Sequence, residues 1–342
     1  MSARALADTV SQHLAASQAF IPGISLALLQ AGEVACVHAI GRRGPDDSAA
    51  VDEGTVFEAA SLTKPLVSFI ALQLADEGKL DLSFPLESVG GPYVAGDPRA
   101  AAITPAHVLT HTSGLPNIVT RETPLKTYFA PGVRFSYGSS AFAWLQRAME
   151  KVAGKPLEEL ARERVFEPCG MRDSSLQWQA RFEGNHAQGQ EMDGTPVPKR
   201  RPAAAGASWS LQTTAHDYAR FVQLVLQARG LTPAMHARWL APAVRATHGV
   251  DDVLEQNPAE EADVAWGLGW GLEPSHGCFF HWGHNPGFRA FVMGNPVTKD
   301  AVMWFANSAR GLRLGRQLLP AVFPGAHASL DWLQVGATVQ GP

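Results

Sequence analysis

Ser61 and Lys64 could act together as a nucleophile and its base. They lie three residues apart in the segment FEAASLTKPL at 57–66. Residues at this spacing share one helix face, so the Lys64 amine can lie against the Ser61 hydroxyl. A serine hydroxyl becomes nucleophilic when an adjacent base takes its proton, and a dehydrated lysine can be that base. About 0.4 such pairs are expected by chance in this composition, so the surrounding segment must decide.

The segment that follows Ser61 predicts a buried helix. Residues 62–75 are apolar on nearly every side, Pro65 falls near the first turn and Gly78 is a natural stop. Lys64 would then lie among apolar side chains, which disfavour its charged form and lower its pKa. The alternative is that Ser61 only caps the helix while Lys64 extends its amine to water.

Tyr137 lies in a second segment that could do chemistry. Tyr137-Gly138-Ser139 follows a Pro131-Gly132 turn and precedes a predicted helix. A tyrosine on such a loop can relay protons at a cleft if a nearby cation lowers its pKa. Taken alone, the segment is also typical of an ordinary turn.

A third segment, HWGHNPGFR at 281–289, joins two predicted strands. Gly283 would let the backbone approach a ligand closely, so a main-chain N–H beyond it could stabilise an oxyanion. Without other evidence, its glycine, proline and asparagine indicate only a tight connection.

Other candidate residues favour no further chemistry. His107 and His111 have the i, i+4 spacing of metal ligands, but no glutamate lies between them as in a metalloprotease. Trp266, Trp270 and Trp282 could line an acyl pocket, although buried tryptophans usually only pack. We therefore predict no metal and no cofactor.

Composition limits the class of protein. The 342 residues are 46% hydrophobic and 18% charged, with a formal net charge of −4. These values predict a globular protein without a nucleic-acid partner, and the short basic run at 199–201 is predicted to be a solvated loop. Cys36, Cys169 and Cys278 have no metal or redox spacing and suit a reducing compartment. No stretch is apolar enough for a membrane span, so we expect a cytoplasmic protein.

The predicted elements place strands at both ends and helices between them. Leu6, Val10 and Leu14 mark a first helix, and a hairpin turns at Ala31-Gly32. Thr104 and Thr214 are predicted helix caps, as is Thr232. The remaining predictions are helices at 142–153, 156–166 and 312–322, irregular chain at 170–208, an acidic loop at 251–263, and strands at 264–272, 278–282, 288–294 and 301–306.

Taken together, the three segments resemble the penicillin-recognising serine hydrolases, a group that includes class C β-lactamases, D-alanyl-D-alanine carboxypeptidases, D-aminopeptidases and family VIII carboxylesterases. Ser61 to Lys64 matches the S-x-x-K motif, and Tyr137 to Ser139 matches Y-x-N or Y-x-S. His281-Trp282-Gly283 stands at the K-T-G position, where some members carry H-x-G. The stretches 103–116, 166–171 and 285–288 are also similar to the family, so the resemblance covers most of the chain.

The resemblance implies an α/β fold of the β-lactamase/transpeptidase type, in which terminal helices flank an antiparallel sheet and a mainly helical subdomain is inserted. Residues 1–58 and 262–342 would form the α/β subdomain and 59–261 the helical one, with the active site in the cleft between them.

The resemblance also implies roles for individual residues. Ser61 would be the nucleophile, and Lys64 with Tyr137 the general base and proton shuttle. The backbone N–H groups of Ser61 and His284 would form the oxyanion hole. Ser139 would contact the acyl side of the substrate, and His281, Trp282 and Gly283 would complete the substrate-binding set.

Departures from the family pattern favour uncharged substrates. The family's third-motif lysine and hydroxyl residue hold a substrate carboxylate, and here His281 and Trp282 replace them. A neutral imidazole is a weaker anion anchor than an ammonium, and an indole has no acceptor. We predict a serine hydrolase for small uncharged esters and, second, some amides. The alternatives are an acyltransferase, a D-aminopeptidase, a weak β-lactamase, or a binding protein that stays acylated. The oligomeric state is left open.

Overall fold

The computed structural model describes residues 3–17, 20–251 and 253–336. Its described helices are α1 (Ala3–Ser17), α2 (Thr63–Asp76), α3 (Leu86–Gly90), α4 (Pro105–Leu109), α5 (Ser140–Ala153), α6 (Leu157–Ala161), α7 (Glu167–Cys169), α8 (Ala215–Leu226), α9 (Pro233–Trp239), α10 (Gly315–Val322) and α11 (Ala328–Trp332). Its described strands are β1 (Gly23–Gln30), β2 (Glu33–Gly41), β3 (Phe57–Glu58), β4 (Gln212–Thr213), β5 (Val244–Thr247), β6 (Glu260–Trp266), β7 (Gly271–Glu273), β8 (Cys278–Asn285), β9 (Phe288–Asn295) and β10 (Asp300–Ala306).

An antiparallel sheet of eight strands organises the molecule, in the order β2-β1-β10-β9-β8-β7-β6-β5. The first hairpin therefore pairs with the last strand, with Leu26 opposite Trp304. β3 and β4 form a separate short pair. The predicted sheet built from both ends of the chain is confirmed.

Helices cover both faces of this sheet. In β1, Ile24, Leu26 and Leu28 pack into the cluster that includes residues of α1 and α10, whereas Ala27 and Leu29 pack with residues of α2 and α8. This alternation follows from the period of two in a strand, and it explains why β1 is apolar on both faces. The predicted α/β fold with an antiparallel sheet is confirmed.

Several local predictions are also confirmed. The β1–β2 hairpin turns through Ala31 and Gly32, both with positive φ. Thr104 and Thr214 cap α4 and α8 by accepting backbone N–H groups. Gly154 ends α5 in the left-handed conformation that glycine adopts without strain.

The region 244–272 differs from its prediction. Residues 260–263, expected in an acidic loop, begin β6, which pairs with the unpredicted β5. The single strand expected at 264–272 is two strands, β6 and β7, separated by a turn in which Gly269 has a φ of 104°. The charged side chains at the start of β6 are exposed or half-buried, so they do not prevent pairing.

The division at residues 58 and 262 stays a prediction, although β5 and the start of β6 join the sheet from before residue 262. In α1, Val10 and Leu14 are buried as predicted, whereas the Leu6 side chain is outside the described residues. Among the described helices, none is both long and apolar enough to cross a membrane.

A buried ion pair attaches the last described helix to the sheet. Glu273 of β7 is fully buried, and its carboxylate lies 2.9 Å from Nδ1 of His327. It also accepts the backbone N–H of Ser329 at 2.7 Å. These contacts raise the pKa of His327 above its ordinary 6.5, although burial alone would lower it. The histidine cation and the carboxylate therefore stabilise each other inside the protein.

We expect His327→Leu to lower the free energy of unfolding by about 3 kcal/mol at pH 6, because it removes the closer of two histidines beside a buried carboxylate, the other being His276 at 3.5 Å. Because the pKa of His327 is raised in the folded state, the contribution of the pair is complete below about pH 6.5. It decreases as pH rises through the higher folded value. Urea unfolding at several pH values measures the difference.

The matched control is His248→Leu, which removes the histidine of an exposed pair with Glu261. It should cost less than about 1 kcal/mol. Equal effects of the two substitutions would contradict a special contribution from the buried pair.

Candidate active site

Ser61 lies in the 3-10 turn Ala60–Leu62 that leads into α2. Ala60 has a φ of 50°, a conformation that an alanine rarely adopts. Thr63 stabilises this turn, since its hydroxyl donates to the Ala60 carbonyl at 2.6 Å and accepts the Leu211 N–H. Leu62 is the N-cap of α2, and among the described residues no side chain makes a cap hydrogen bond there, so the alternative of Ser61 as a capping serine is wrong.

Lys64 is completely buried beside Ser61. Its Nζ lies 2.9 Å from Ser61 Oγ and donates to the Ser208 carbonyl at 3.0 Å. The ring of Tyr137 is 4.8 Å from the same atom. Burial lowers the pKa of Lys64 well below its ordinary 10.5. The side chain does not reach water, so its amine can be neutral and accept the Ser61 proton.

Tyr137 is buried, and its ring lies against the Lys64 amine. Its hydroxyl oxygen has no hydrogen-bond partner among the described residues. Burial raises its pKa above the ordinary 10.0, and the nearby Ser61 hydroxyl opposes that shift without reaching hydrogen-bond geometry. The expectation that a cation lowers this pKa is therefore not met. Tyr137 is a neutral phenol that can pass a proton on, and Lys64 is the better resting base.

Gly283 lets β8 approach the turn that carries Ser61. A Cβ at this position would lie 2.3 Å from the Ala59 carbonyl oxygen, closer than any side chain allows. β7 pairs with β8 only from Cys278 to Phe280, and the Ala60–Leu62 turn packs against β8. The open edge of the strand therefore faces the nucleophile.

His281 and His284 lie in different surroundings on β8. His284 lines the cavity beside Ser61, whereas His281 and Gly283 are buried and are not among the lining residues. The His281 Nδ1 accepts the Trp282 N–H at 2.9 Å. Burial and the nearby Lys64 lower the pKa of His281 to about 3, and burial with Arg289 lowers that of His284 to about 4. Both imidazoles are therefore neutral at pH 7.

A cavity of about 800 Å³ opens at Ser61. Five of the predicted site residues line it, namely Ser61, Tyr137, Ser139, Trp282 and His284. Other polar residues of the lining were not predicted from the sequence, namely Asn117, Arg200, Ser208, Asp251 and Asn285. Apolar side chains complete the lining, and two of them, Ile118 and Val119, are exposed at 67% and 50%.

Asn117 brings an amide beside Ser139. Ser139 Oγ donates to Asn117 Oδ1 at 2.6 Å, and Asn117 Nδ2 donates to Asp251 at 3.1 Å. The cavity therefore has an amide near the place where the related family carries one on its second motif. Asn117 directly follows the stretch 103–116, which resembles the family, and its place in the sequence could therefore have marked it as a candidate site residue.

Glu58 connects three parts of the chain behind the cavity. Its buried carboxylate accepts Asn285 Nδ2 at 2.8 Å and Arg200 Nε at 3.2 Å. Lys199 Nζ is 3.6 Å away and its side chain is 4% exposed. The prediction of a solvated loop at 199–201 is therefore wrong for Lys199. Because burial outweighs the attraction of Glu58, the pKa of Lys199 is lowered to about 8.

His107 and His111 both make hydrogen bonds to backbone groups of the protein. His107 takes part in the capping box of α4, and His111 Nδ1 accepts the Gly138 N–H. Among the described residues, a single group has the composition and spacing of metal ligands, namely Glu273, His276 and His327. It lies outside the cavity lining, and the ion pair described above already links two of its members.

Comparison with known proteins gives a consistent result. The family model described as Beta-lactamase matches residues 6–326. Penicillin-binding protein 4 of Amycolatopsis lactamdurans is 25% identical over 297 residues, which cover 78% of this chain and 74% of that protein. Protein Rv1367c of Mycobacterium tuberculosis (strain ATCC 25618 / H37Rv) is 28% identical over 235 residues, or 56% of this chain. The match spans only 58% of the length of Rv1367c.

Solved structures share the fold. A class C β-lactamase has a TM-score of 0.77 at 19% identity and covers 95% of this chain and 99% of its own. The D-alanine carboxypeptidase AmpC of Burkholderia cenocepacia has a TM-score of 0.76 at 20% identity, with coverages of 94% and 100%. At these identities the likeness concerns the fold.

We expect a fluorophosphonate probe to label the protein at Ser61 and not to label Ser61→Ala. Because the Lys64 amine must be neutral to take the proton, the labelling rate should rise with pH and level off above the Lys64 pKa. The midpoint should lie well below the ordinary lysine value of 10.5. Intact-mass spectrometry of timed samples measures the rate.

Ser68→Ala is the matched control, because Ser68 is a buried serine on α2 whose hydroxyl donates to the Lys64 carbonyl. It should label like the wild type. Undiminished labelling of Ser61→Ala would refute the assignment of the nucleophile.

Proposed function

We propose, because this chain belongs to the Beta-lactamase family, that it is a serine hydrolase which cleaves small uncharged esters through an acyl-enzyme on Ser61. The observation that carries the proposal is the 2.9 Å contact between Ser61 Oγ and the amine of Lys64. Because Lys64 is fully buried, its amine can be neutral at physiological pH. The nucleophile and its base are thus in place before substrate binds.

In the proposed acylation, Lys64 takes the Ser61 proton as Oγ attacks the ester carbonyl. The backbone N–H groups of Ser61 and His284 would bind the oxyanion, and each such donor contributes about 3–4 kcal/mol to transition-state stabilisation. Collapse of the tetrahedral intermediate breaks the bond to the alcohol. The Tyr137 phenol gives the departing alkoxide a proton and takes one from the Lys64 ammonium, which restores the neutral amine.

Deacylation follows the same route with water in place of the alcohol. Water attacks the acyl carbonyl while its proton passes through Tyr137 to Lys64. The intermediate then breaks at the Ser61 oxygen, which regains its proton from Lys64, and the carboxylic acid leaves. The raised pKa of Tyr137 supports this relay rather than a resting phenolate.

The polarity of the cavity supports uncharged substrates. His281 is neutral and buried, and it does not line the cavity, so it offers no positive charge to a substrate carboxylate. Arg200 does line the cavity, but Glu58 lies 3.2 Å from its guanidinium and offsets its charge. Apolar side chains such as Ile118 and Val119 provide contact for an acyl chain.

The test is a panel of p-nitrophenyl acetate and butyrate, a D-amino-acid p-nitroanilide and nitrocefin, with Ser61→Ala as the blank. We expect kcat/KM for the esters to exceed that for nitrocefin by at least about 10²-fold, the upper range for the loss of one hydrogen bond to a charged group. Nitrocefin turnover equal to ester turnover would contradict the proposed specificity. Faster ester consumption with an added alcohol, and a new ester product, would instead indicate acyl transfer.

Tyr137→Phe should slow turnover of p-nitrophenyl butyrate by at least about 10²-fold, because it removes the proton relay and keeps the ring. Tyr93→Phe is the matched control, since Tyr93 also lines the cavity but its hydroxyl donates to the Ser140 carbonyl, away from Ser61. A Tyr137→Phe variant within threefold of the wild type would exclude Tyr137 from the mechanism.

A further inference from the structure

The backbone on either side of Tyr137 is held mainly by His111. The Ser136 N–H donates to the His111 carbonyl at 2.9 Å, and the Gly138 N–H donates to the His111 ring at Nδ1 at 3.0 Å. Between them, the Tyr137 N–H donates to the Val250 carbonyl at 3.0 Å. Two of these three consecutive amides therefore depend on the same histidine.

The His111 ring also contacts the Tyr137 ring directly. The ring centroids are 4.1 Å apart with planes at 29°, and His111 is only 1% exposed. The stacked imidazole limits the rotation of the phenol on that side. His111 thus touches Tyr137 and both of its neighbours in the chain.

The backbone of His111 is in an uncommon conformation that permits these contacts. Its φ is 54°, in the left-handed region where asparagine and glycine are better tolerated than most residues. This conformation turns the carbonyl and the ring toward the same loop. Few residue types can both adopt a positive φ and place a hydrogen-bond acceptor where Nδ1 of His111 lies.

The hydrogen bond also defines the protonation of His111. Burial lowers the pKa of His111 well below its ordinary 6.5. Since Nδ1 accepts a hydrogen bond, the neutral ring carries its proton on Nε2. Nε2 is buried without a hydrogen-bond partner among the described residues. A buried donor without a partner costs stability, so packing alone does not explain a histidine here.

We propose that His111 is a positioning residue that fixes the phenol of Tyr137 beside Ser61 and Lys64. The inference rests on the proton relay assigned to Tyr137 in the proposed function. His111 acts through the loop and does not touch the substrate, because it does not line the cavity. Loss of its acceptor frees the Gly138 N–H, and a displacement of about 1 Å in a reacting group can cost roughly 10²-fold in rate.

The test compares His111→Gly with His111→Asn. Both residues adopt a positive φ, but only asparagine places an acceptor where Nδ1 was. We expect His111→Gly to lower kcat for p-nitrophenyl butyrate at least about tenfold, with KM within threefold of wild type. His111→Asn should recover kcat to within about fivefold of wild type. If the glycine variant does not fold, His111→Gln replaces it, since its longer side chain moves the amide away from the Nδ1 position.

The control is His107→Gln, which removes another histidine of the same segment while keeping a residue that completes the α4 capping box. It should leave kcat and KM unchanged. Circular dichroism and thermal unfolding establish that each variant is folded.

Repeating the His111 substitutions in the Tyr137→Phe background decides whether the histidine acts through the phenol. We expect less than a twofold further loss of kcat there, because the relay is already absent. The inference is overturned by a full additional loss in that background, by equal kcat of the asparagine and glycine variants, or by a His111→Gly variant within threefold of wild type. A Tyr137→Phe variant as active as wild type overturns the proposed relay itself, and with it this inference.

Discussion

The removal of the Lys64 amine from water is the constraint on which the site depends. Burying a charged ammonium costs a large free energy, and among the described residues no carboxylate is within hydrogen-bonding distance of Nζ, which contacts the Ser61 hydroxyl and the Ser208 carbonyl. The apolar helix α2 and the rings of Tyr137 and Phe142 surround it. The fold thus favours the neutral amine, which is the form that can remove a proton from a hydroxyl.

Three distant parts of the chain meet to create these surroundings. The Ala60–Leu62 turn lies against β8 because Gly283 has no side chain. Glu58 then holds this arrangement by binding Asn285 of β8 and Arg200 of the loop. Tyr137 arrives from a third region, whose loop His111 holds. The sheet also joins segments that are distant in the sequence, because β1 pairs with β10.

Much of this could be predicted from sequence because the signals are local. The spacing of Ser61 and Lys64, the apolar helix after them and the caps at Thr104 and Thr214 each depend on a few neighbouring residues. The resemblance to a known family then related the three segments to one site. The substrate contacts assigned to His281 and Gly283 stay predictions, and neither residue is among those that line the cavity.

The remaining differences arise from tertiary burial, which composition does not reveal. Lys199 stands in a basic run that suggests solvent, yet Glu58 and two aromatic rings surround its amine. The pKa of Tyr137 rises because the loop packs inward, and a sequence shows only that a phenol is present. The acidic residues that begin β6 suggest a loop, but a neighbouring strand pairs with them. Each case depends on a partner distant in sequence.

The Glu273–His327 pair has a practical consequence for anyone who shortens or fuses this polypeptide. A truncation before residue 327 would remove two partners of this buried carboxylate, the His327 ring and the Ser329 N–H. The short helix α11 is therefore not a dispensable tail. A purification handle placed beyond it leaves this anchor intact, whereas one that replaces it does not.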